Sequence, residues 1–122
     1  MQSIIALSLA LLTAVSATYT TPTASTTVQF TNDSTGRSAN VVIPLDGALK
    51  PVSTLLDNTP LDIGATIPAT SFFLQSNFAG VECDLYLNGY VVTITEKRTF
   101  AGFAPVASPV DLSAAQIACF KY

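Results

Sequence analysis

The dipeptide Asn88-Gly89 constrains the fold of this chain more than any other feature of its sequence. It lies between two runs rich in β-forming residues and suits a two-residue type I′ turn, in which both central residues have positive φ. A two-residue turn sets the register of the hairpin that it closes. Because side chains alternate across a strand, one side of the hairpin should face the core with these opposite pairs: Leu87 with Tyr90, Leu85 with Val92, and Cys83 with Ile94.

The other side of this hairpin combines acids, hydroxyls and an aromatic ring. The residues expected there as a candidate binding surface are Glu82, Asp84, Tyr86, Thr93 and Thr95. Tyr86 offers a large amphipathic contact beside a rigid turn, which suits a protein or glycan partner. One alternative is that the acids are ordinary solvated charges and that a loop covers the aromatic residues.

Glu82 and Asp84 raise a second alternative, a carboxylate-dependent glycan hydrolase. Two residues apart on a strand, they are separated by roughly 7 Å, between the retaining and inverting separations of glycosidases. An open sheet face, however, supplies no apolar pocket to raise the pKa of either carboxyl group. We therefore assign no catalytic residue and expect a non-enzymatic protein.

The rest of the chain adds short β-rich runs and no periodic helix, for a total of six or seven strands. Turn-forming residues separate two alternating runs, which indicates a first hairpin over residues 26–45. Residues 70–75 and 115–122 are also strand-like, and residues 97–100 should extend the second strand of the central hairpin. The expected fold class is all-β, a small antiparallel sandwich or flattened barrel with one disulfide.

The amino terminus has the pattern of a secretory signal over residues 1–17. An apolar run precedes Val15-Ser16-Ala17, which supplies the small residues of a cleavage site. Residues 18–27 then form a Thr-rich arm, and residues 28–122 form a single β domain, long enough for one hydrophobic core. No second long apolar run follows, so we expect a secreted, extracellular protein without a membrane span.

The chain contains two cysteines, Cys83 and Cys119. In a secreted protein this number most simply indicates one disulfide, here joining the central hairpin to the last strand. A reactive thiol pair is the alternative, but these cysteines lack the close spacing and basic surroundings that lower a thiol pKa. The bridge should stabilise the fold by about 4 kcal/mol, because it closes a long loop.

The composition excludes several kinds of function. The chain contains no histidine, which removes Ser-His-Asp and Cys-His catalysis and imidazole zinc sites. Its net charge of −3 and its few, scattered basic residues argue against nucleic acid as a partner. No glycine-rich phosphate loop is present, and we expect neither a cofactor nor a metal. Asn32-Asp33-Ser34 makes Asn32 a candidate N-glycosylation site at a loop tip.

Three features together resemble the small secreted proteins of filamentous fungi. They are Ala14-Val15-Ser16-Ala17 at the end of a short signal, the Thr18–Thr27 tract, and the pairing of Cys83 with Cys119 near the last residue. Proteins of that kind are often effectors or elicitors of plant responses, or components of the cell wall. The resemblance implies a binding protein that acts on a host or cell-wall partner, or a structural surface protein without a specific ligand.

Overall fold

The computed structural model describes residues 24–122, so the predicted signal and most of the predicted arm lie outside this range. Within it the chain forms one helical turn, α1 (Val52–Leu55), and ten strands. The strands are β1 (Ser25–Asn32), β2 (Arg37–Pro44), β3 (Lys50–Pro51), β4 (Pro68–Ala69), β5 (Ser71–Ser76), β6 (Val81–Leu87), β7 (Tyr90–Thr95), β8 (Phe100–Gly102), β9 (Val110–Asp111) and β10 (Gln116–Lys121). Because β1 begins at Ser25, the last three residues of the predicted arm belong to a sheet.

Eight of these strands form two antiparallel, four-stranded sheets. The first sheet has the order β2-β1-β5-β8, the second has the order β3-β10-β6-β7, and β4 pairs separately with β9. The inner faces of the two sheets contribute to one core cluster. The predicted all-β fold is therefore confirmed, with six strands of at least six residues and four strands of two or three.

The first sheet contributes to the core through side chains that alternate between buried and partly exposed along its strands. In β1 every second side chain is buried, and the register places Phe30 between Ala39 of β2 and Phe72 of β5. The rings of Phe30 and Phe72 are stacked, with their centroids 5.7 Å apart. Fully burying a phenylalanine side chain stabilises a fold by about 1.5–3 kcal/mol, so this pair is a major stabilising element of the first sheet.

The central hairpin, β6 with β7, has the predicted register at all three core pairs. Cys83, Leu85 and Ile94 are fully buried. The turn type is different from the prediction, because only Gly89 of the two central residues has a positive φ, +91°. A type I′ turn needs positive φ at both central positions, so this turn is of another type. Only its second position has the backbone conformation that favours glycine.

The tip of this hairpin extends past the core, which corrects the expected position of Tyr90. Residues 88–91 are all exposed, and Tyr90 keeps 47% of its surface in solvent. Its hydroxyl donates a hydrogen bond to the carbonyl of Phe103 at 3.2 Å. Tyr90 therefore lies on the core side of the hairpin but beyond the layer of residues that the first sheet covers.

Residues 97–100 do not extend β7, which corrects a second expectation. Thr95 and Arg98 exchange backbone hydrogen bonds of 2.9 and 3.1 Å across a tight turn, and this turn ends the strand. The chain then crosses to the first sheet, where Phe100 of β8 opposes Phe73 of β5. The crossing joins the edge strands of the two sheets, so the hairpin is tied to both layers.

Helical turn α1 and the irregular segments around it complete the core. Pro51 is its N-cap with φ −65°, a value that suits the start of a helix. The apolar side chains that this region buries are Val52, Leu56, Leu61, Ile67 and Leu112. Between residues 24 and 122 no helix is long and apolar enough to cross a membrane.

Cys83 and Cys119 form the predicted disulfide, and both are fully buried. The two residues lie directly opposite each other on β6 and β10, with their Cα atoms 4.1 Å apart. The bond therefore joins neighbouring strands of the second sheet, and it does not connect one sheet to the other. Its sequence separation of 36 residues makes it a long-range link between the hairpin and the carboxyl terminus.

Candidate functional site

The second sheet brings the five predicted binding residues together on its solvent side. Glu82, Asp84 and Tyr86 alternate along β6, and on β7 the opposite residues include Thr95 and Thr93. On the other flank, β10 contributes a further row of three residues, which oppose the same three positions of β6. We call this surface the outer face and define it by Glu82, Asp84, Tyr86, Thr93, Thr95, Gln116, Ala118 and Phe120.

The two acids of the outer face have different surroundings. Thr93 Oγ1 donates a hydrogen bond to Asp84 Oδ1 at 2.8 Å. Partial burial raises the pKa of Glu82, and hydrogen bonding with Asp84 and its negative charge raise it further. The shift does not come from an apolar pocket, which the sequence did not predict here, but from desolvation on the sheet and from the neighbouring Asp84 carboxyl group. Thr95 and Phe120 lie opposite Glu82 on its two neighbouring strands.

Aromatic side chains lie at both ends of the outer face. Tyr86 is 39% exposed near the hairpin turn, and Tyr122 is 62% exposed just after β10. The Tyr122 hydroxyl donates a hydrogen bond to Glu96 Oε1 at 3.3 Å. Partial desolvation raises the pKa of Tyr122, and the nearby Glu96 carboxylate adds to this shift. The acids of the outer face thus lie between two solvent-accessible rings.

A groove of about 340 Å³ opens beside Tyr86. The hairpin side of this Tyr86 groove contains Tyr86, Leu87 and Asn88, and the other side contains Asp111, Gln116 and two alanines. The sequence contains no signal that places Asp111 at this site, because residues 101–115 have no periodicity that assigns them to a face. The position of Gln116 could have been predicted from the sequence, since alternation along β10 places it on the same side of the strand as Phe120.

Asp111 is held rigidly at the edge of this groove. Its Oδ1 atom accepts hydrogen bonds from the backbone N–H groups of Ile67 at 2.9 Å and Ser113 at 3.0 Å, and from the Ser113 hydroxyl. The bond from the Ser113 hydroxyl and those from the two N–H groups hold the pKa of Asp111 below its usual range. None of the hydrogen bonds formed by residues 24–122 involves Oδ2. The groove therefore contains a fixed, ionised acceptor with one oxygen still available.

Asn32 lies in a different position from the one predicted. It is the last residue of β1, is only 3% exposed, and lines a cavity of about 130 Å³ with Arg37 and Leu61 among its neighbours. Its Oδ1 atom accepts a hydrogen bond from the Ser34 N–H at 3.0 Å. The expected loop-tip location is wrong, because the side chain turns back onto its own loop as an Asx-turn. Glycosylation of Asn32 itself stays a prediction.

Among residues 24–122, no three His, Cys, Asp or Glu side chains are close enough together to hold a metal ion. The acids of the outer face and of the Tyr86 groove instead make hydrogen bonds with hydroxyl and backbone groups. Chemically, the arrangement offers hydrogen-bond acceptors, amides and exposed aromatic rings.

No protein-family model, no curated protein and no solved structure matches this chain.

Proposed function

We propose that this chain is a secreted, non-enzymatic binding protein that recognises a protein or glycan outside the cell, as a fungal effector, elicitor or wall-associated protein would. The observation that carries the proposal is the placement of exposed Tyr86 beside fixed polar groups on a regular sheet surface. Three paired strands hold this surface in one shape. A preformed contact loses little conformational entropy on binding, which favours affinity.

The disulfide supports an extracellular location. Such bonds form and persist mainly in oxidising compartments, and the bond between Cys83 and Cys119 lies in the core of the domain. An oxidising compartment is also where the predicted signal over residues 1–17 would send the chain. Partners outside the cell, including wall glycans and host proteins, are therefore the ones to test.

A glycan hydrolase is the second candidate, and the raised pKa of Glu82 favours it. A carboxyl group with a raised pKa, next to a second carboxyl group, is the pairing that a general acid and its partner require. Neither of the two cavities described above, however, is lined by these acids. A sugar ring would have no concave site between the two carboxyl groups, whereas small-molecule sites are usually concave. Binding is therefore the better supported function.

The test is the binding of purified variants to insoluble cell-wall material, measured by co-sedimentation. Tyr86→Ala should weaken binding by about 2 kcal/mol or more, as the loss of an aromatic anchor does. Glu82→Gln and Asp84→Asn should cost less, since partly exposed charges contribute little. Tyr90→Ala is the matched control, because Tyr90 is similarly exposed on the opposite side of the same hairpin.

Three other outcomes would change the conclusion. If Tyr86→Ala, Glu82→Gln and Asp84→Asn all bind as the wild type does, the outer face is not the contact surface. If the wild type releases reducing sugar from the wall material and either amide substitution stops that release, the hydrolase is correct. A wild type retained by neither wall material nor extracellular host protein would favour a structural surface protein.

A further inference from the structure

The Tyr86 groove lies at one end of the outer face and shares Tyr86 and Gln116 with it. Its volume of about 340 Å³ falls near the lower limit of the about 300–1,000 Å³ typical of small-molecule sites. A ligand that crosses the outer face would therefore reach a concave end that accepts one compact unit. The side chains of this end define what that unit can be.

The polar groups of the groove match a ring that carries several hydroxyls. Asp111 is acceptor-only, and its Oδ1 already accepts from three donors, so Oδ2 is the oxygen left to accept from a ligand hydroxyl. Asn88 and Gln116 each supply a side-chain amide, which both donates and accepts. Tyr86 adds an aromatic surface against which an apolar ring face can pack. Together these groups can satisfy hydroxyls around a ring and cover one of its faces.

The charged residues around the groove limit the net charge that a ligand can carry. No lysine or arginine is among the residues that line the groove, and the adjoining outer face carries two acids, Glu82 and Asp84. A phosphorylated, sulfated or uronic-acid ligand would lack a cationic partner there and would meet like charge instead. The site therefore disfavours anionic ligands.

The outer face provides room for more than one such ring. Tyr86 and Glu82 are four residues apart on β6, which corresponds to roughly 13 Å along the strand. Tyr122 lies beyond that end, next to Glu96. The face thus forms an extended strip between two tyrosines, with acids and threonines along its middle.

We propose that the Tyr86 groove binds one sugar unit of an extended, uncharged glycan, and that the glycan chain continues over the outer face towards Tyr122. This inference rests on the proposed function, since it names the class of partner that the outer face recognises. Tyr86 packs against the sugar ring, Asp111 Oδ2 accepts from one of its hydroxyls, and the amides of Asn88 and Gln116 fix its orientation.

The experiment is an NMR titration of isotopically labelled protein with two uncharged hexasaccharides, one of glucose and one of N-acetylglucosamine. At least one of them should shift the resonances of Tyr86, Asn88 and Gln116. A hexasaccharide of galacturonic acid, which is anionic, should leave them unchanged. The deacetylated glucosamine hexasaccharide, which is cationic, serves as a fourth probe.

Two variants test the roles of the groove residues. Asp111→Asn keeps the Oδ1 acceptor for Ile67 and Ser113 but replaces the available oxygen with an amide donor. The dissociation constant for the hexasaccharide should rise at least about tenfold, as expected when a polar group of the ligand loses its partner. Gln116→Ala should have a smaller effect in the same direction. The matched control for Asp111→Asn is Asp62→Asn, because Asp62 Oδ1 likewise accepts a hydrogen bond from a backbone N–H, that of Gly64. The control for Gln116→Ala is Gln75→Ala on the exposed part of β5.

Each result separates this inference from the proposed function. If no uncharged hexasaccharide shifts the groove resonances while Tyr86→Ala still weakens wall or protein binding, the glycan inference is wrong and the binding function stands. If hexasaccharides bind and Asp111→Asn weakens them, but Tyr86→Ala leaves wall binding intact, the groove site stands and the outer face is not the contact. If only the cationic probe binds and high salt removes it, the groove is a cation site and the inference is overturned.

Discussion

At the scale of single residues, the hydroxyl of Thr70 joins two distant parts of the chain. Thr70 is only 1% exposed. Its hydroxyl donates a hydrogen bond to Asp33 Oδ2 at 2.6 Å and accepts one from the Asp33 N–H at 3.0 Å. The Ser71 hydroxyl lies 3.3 Å from the same carboxylate oxygen. These bonds fasten the turn after β1 to the start of β5, so they help to hold the first sheet in register.

Thr70→Val should destabilise the domain by about 2 kcal/mol, because the shape is kept while a charge-assisted hydrogen bond is lost and the partner groups are left without it. The measurement is the free energy of unfolding from urea titrations. Thr54→Val on α1, where the side chain is exposed, should stay within about 0.5 kcal/mol of the wild type. Equal effects of the two substitutions would show that the Thr70 contact contributes nothing specific.

At the scale of elements, the central hairpin depends on the backbone of Gly89. Its φ of +91° lies in a region that L-residues with a Cβ atom rarely adopt. A Cβ atom built at this position would meet no other atom within 4 Å, so any cost of substitution comes from the backbone alone. The hairpin carries the predicted contact residues, and its turn therefore also positions Tyr86 and Asn88.

Gly89→Ala should destabilise the protein by about 1–2 kcal/mol through the strained backbone conformation. Gly102→Ala is a sharp control, because Gly102 does not have a positive φ and its Cβ atom would meet only an ordinary contact, 3.9 Å from the Thr70 carbonyl. It should be neutral or slightly stabilising. Thermal and urea unfolding of both variants checks this, and a neutral Gly89→Ala would contradict the turn geometry.

At the scale of the whole molecule, the disulfide is a link between strands that are adjacent in space and far apart in sequence. It joins the centre of β6 to β10, and the loop that it closes contains the crossing between the sheets and all of β7, β8 and β9. The bond restricts that entire segment in the unfolded chain. Its main contribution should therefore be to the entropy of unfolding of the domain as a whole.

Reduction of the disulfide should lower the free energy of unfolding by about 4 kcal/mol on the chain-entropy account. A loss of that size is a large share of the about 5–15 kcal/mol that usually stabilises a domain. Urea titrations with and without reductant measure the difference. The double variant Cys83→Ala, Cys119→Ala should be destabilised already and should not respond to reductant. An unchanged midpoint on reduction of the wild type would contradict this role.

Local rules were enough to predict the elements on which the candidate site is built. A two-residue turn and period-two alternation predicted the register of β6 and β7 and the outward set from Glu82 to Thr95, and the presence of two cysteines predicted their pairing. They were not enough for the hairpin tip, where alternation places Tyr90 on the core side of the strand although its side chain lies outside the core. Alternation predicts which side of a strand a side chain is on, but only the packing of the other sheet decides how far along the strand that side is covered.

The sequence by itself determined the fold class, the hairpin register, the disulfide and the five hairpin residues of the outer face, because each depends on alternation, turn chemistry or residue counts. Only the tertiary structure decided that the chain crosses between sheets after Thr95 and that Asp111 and Tyr86 line the same groove. Those features depend on aperiodic segments, whose path follows from the space that the two packed sheets leave to them and from the hydrogen bonds that their backbone must find there.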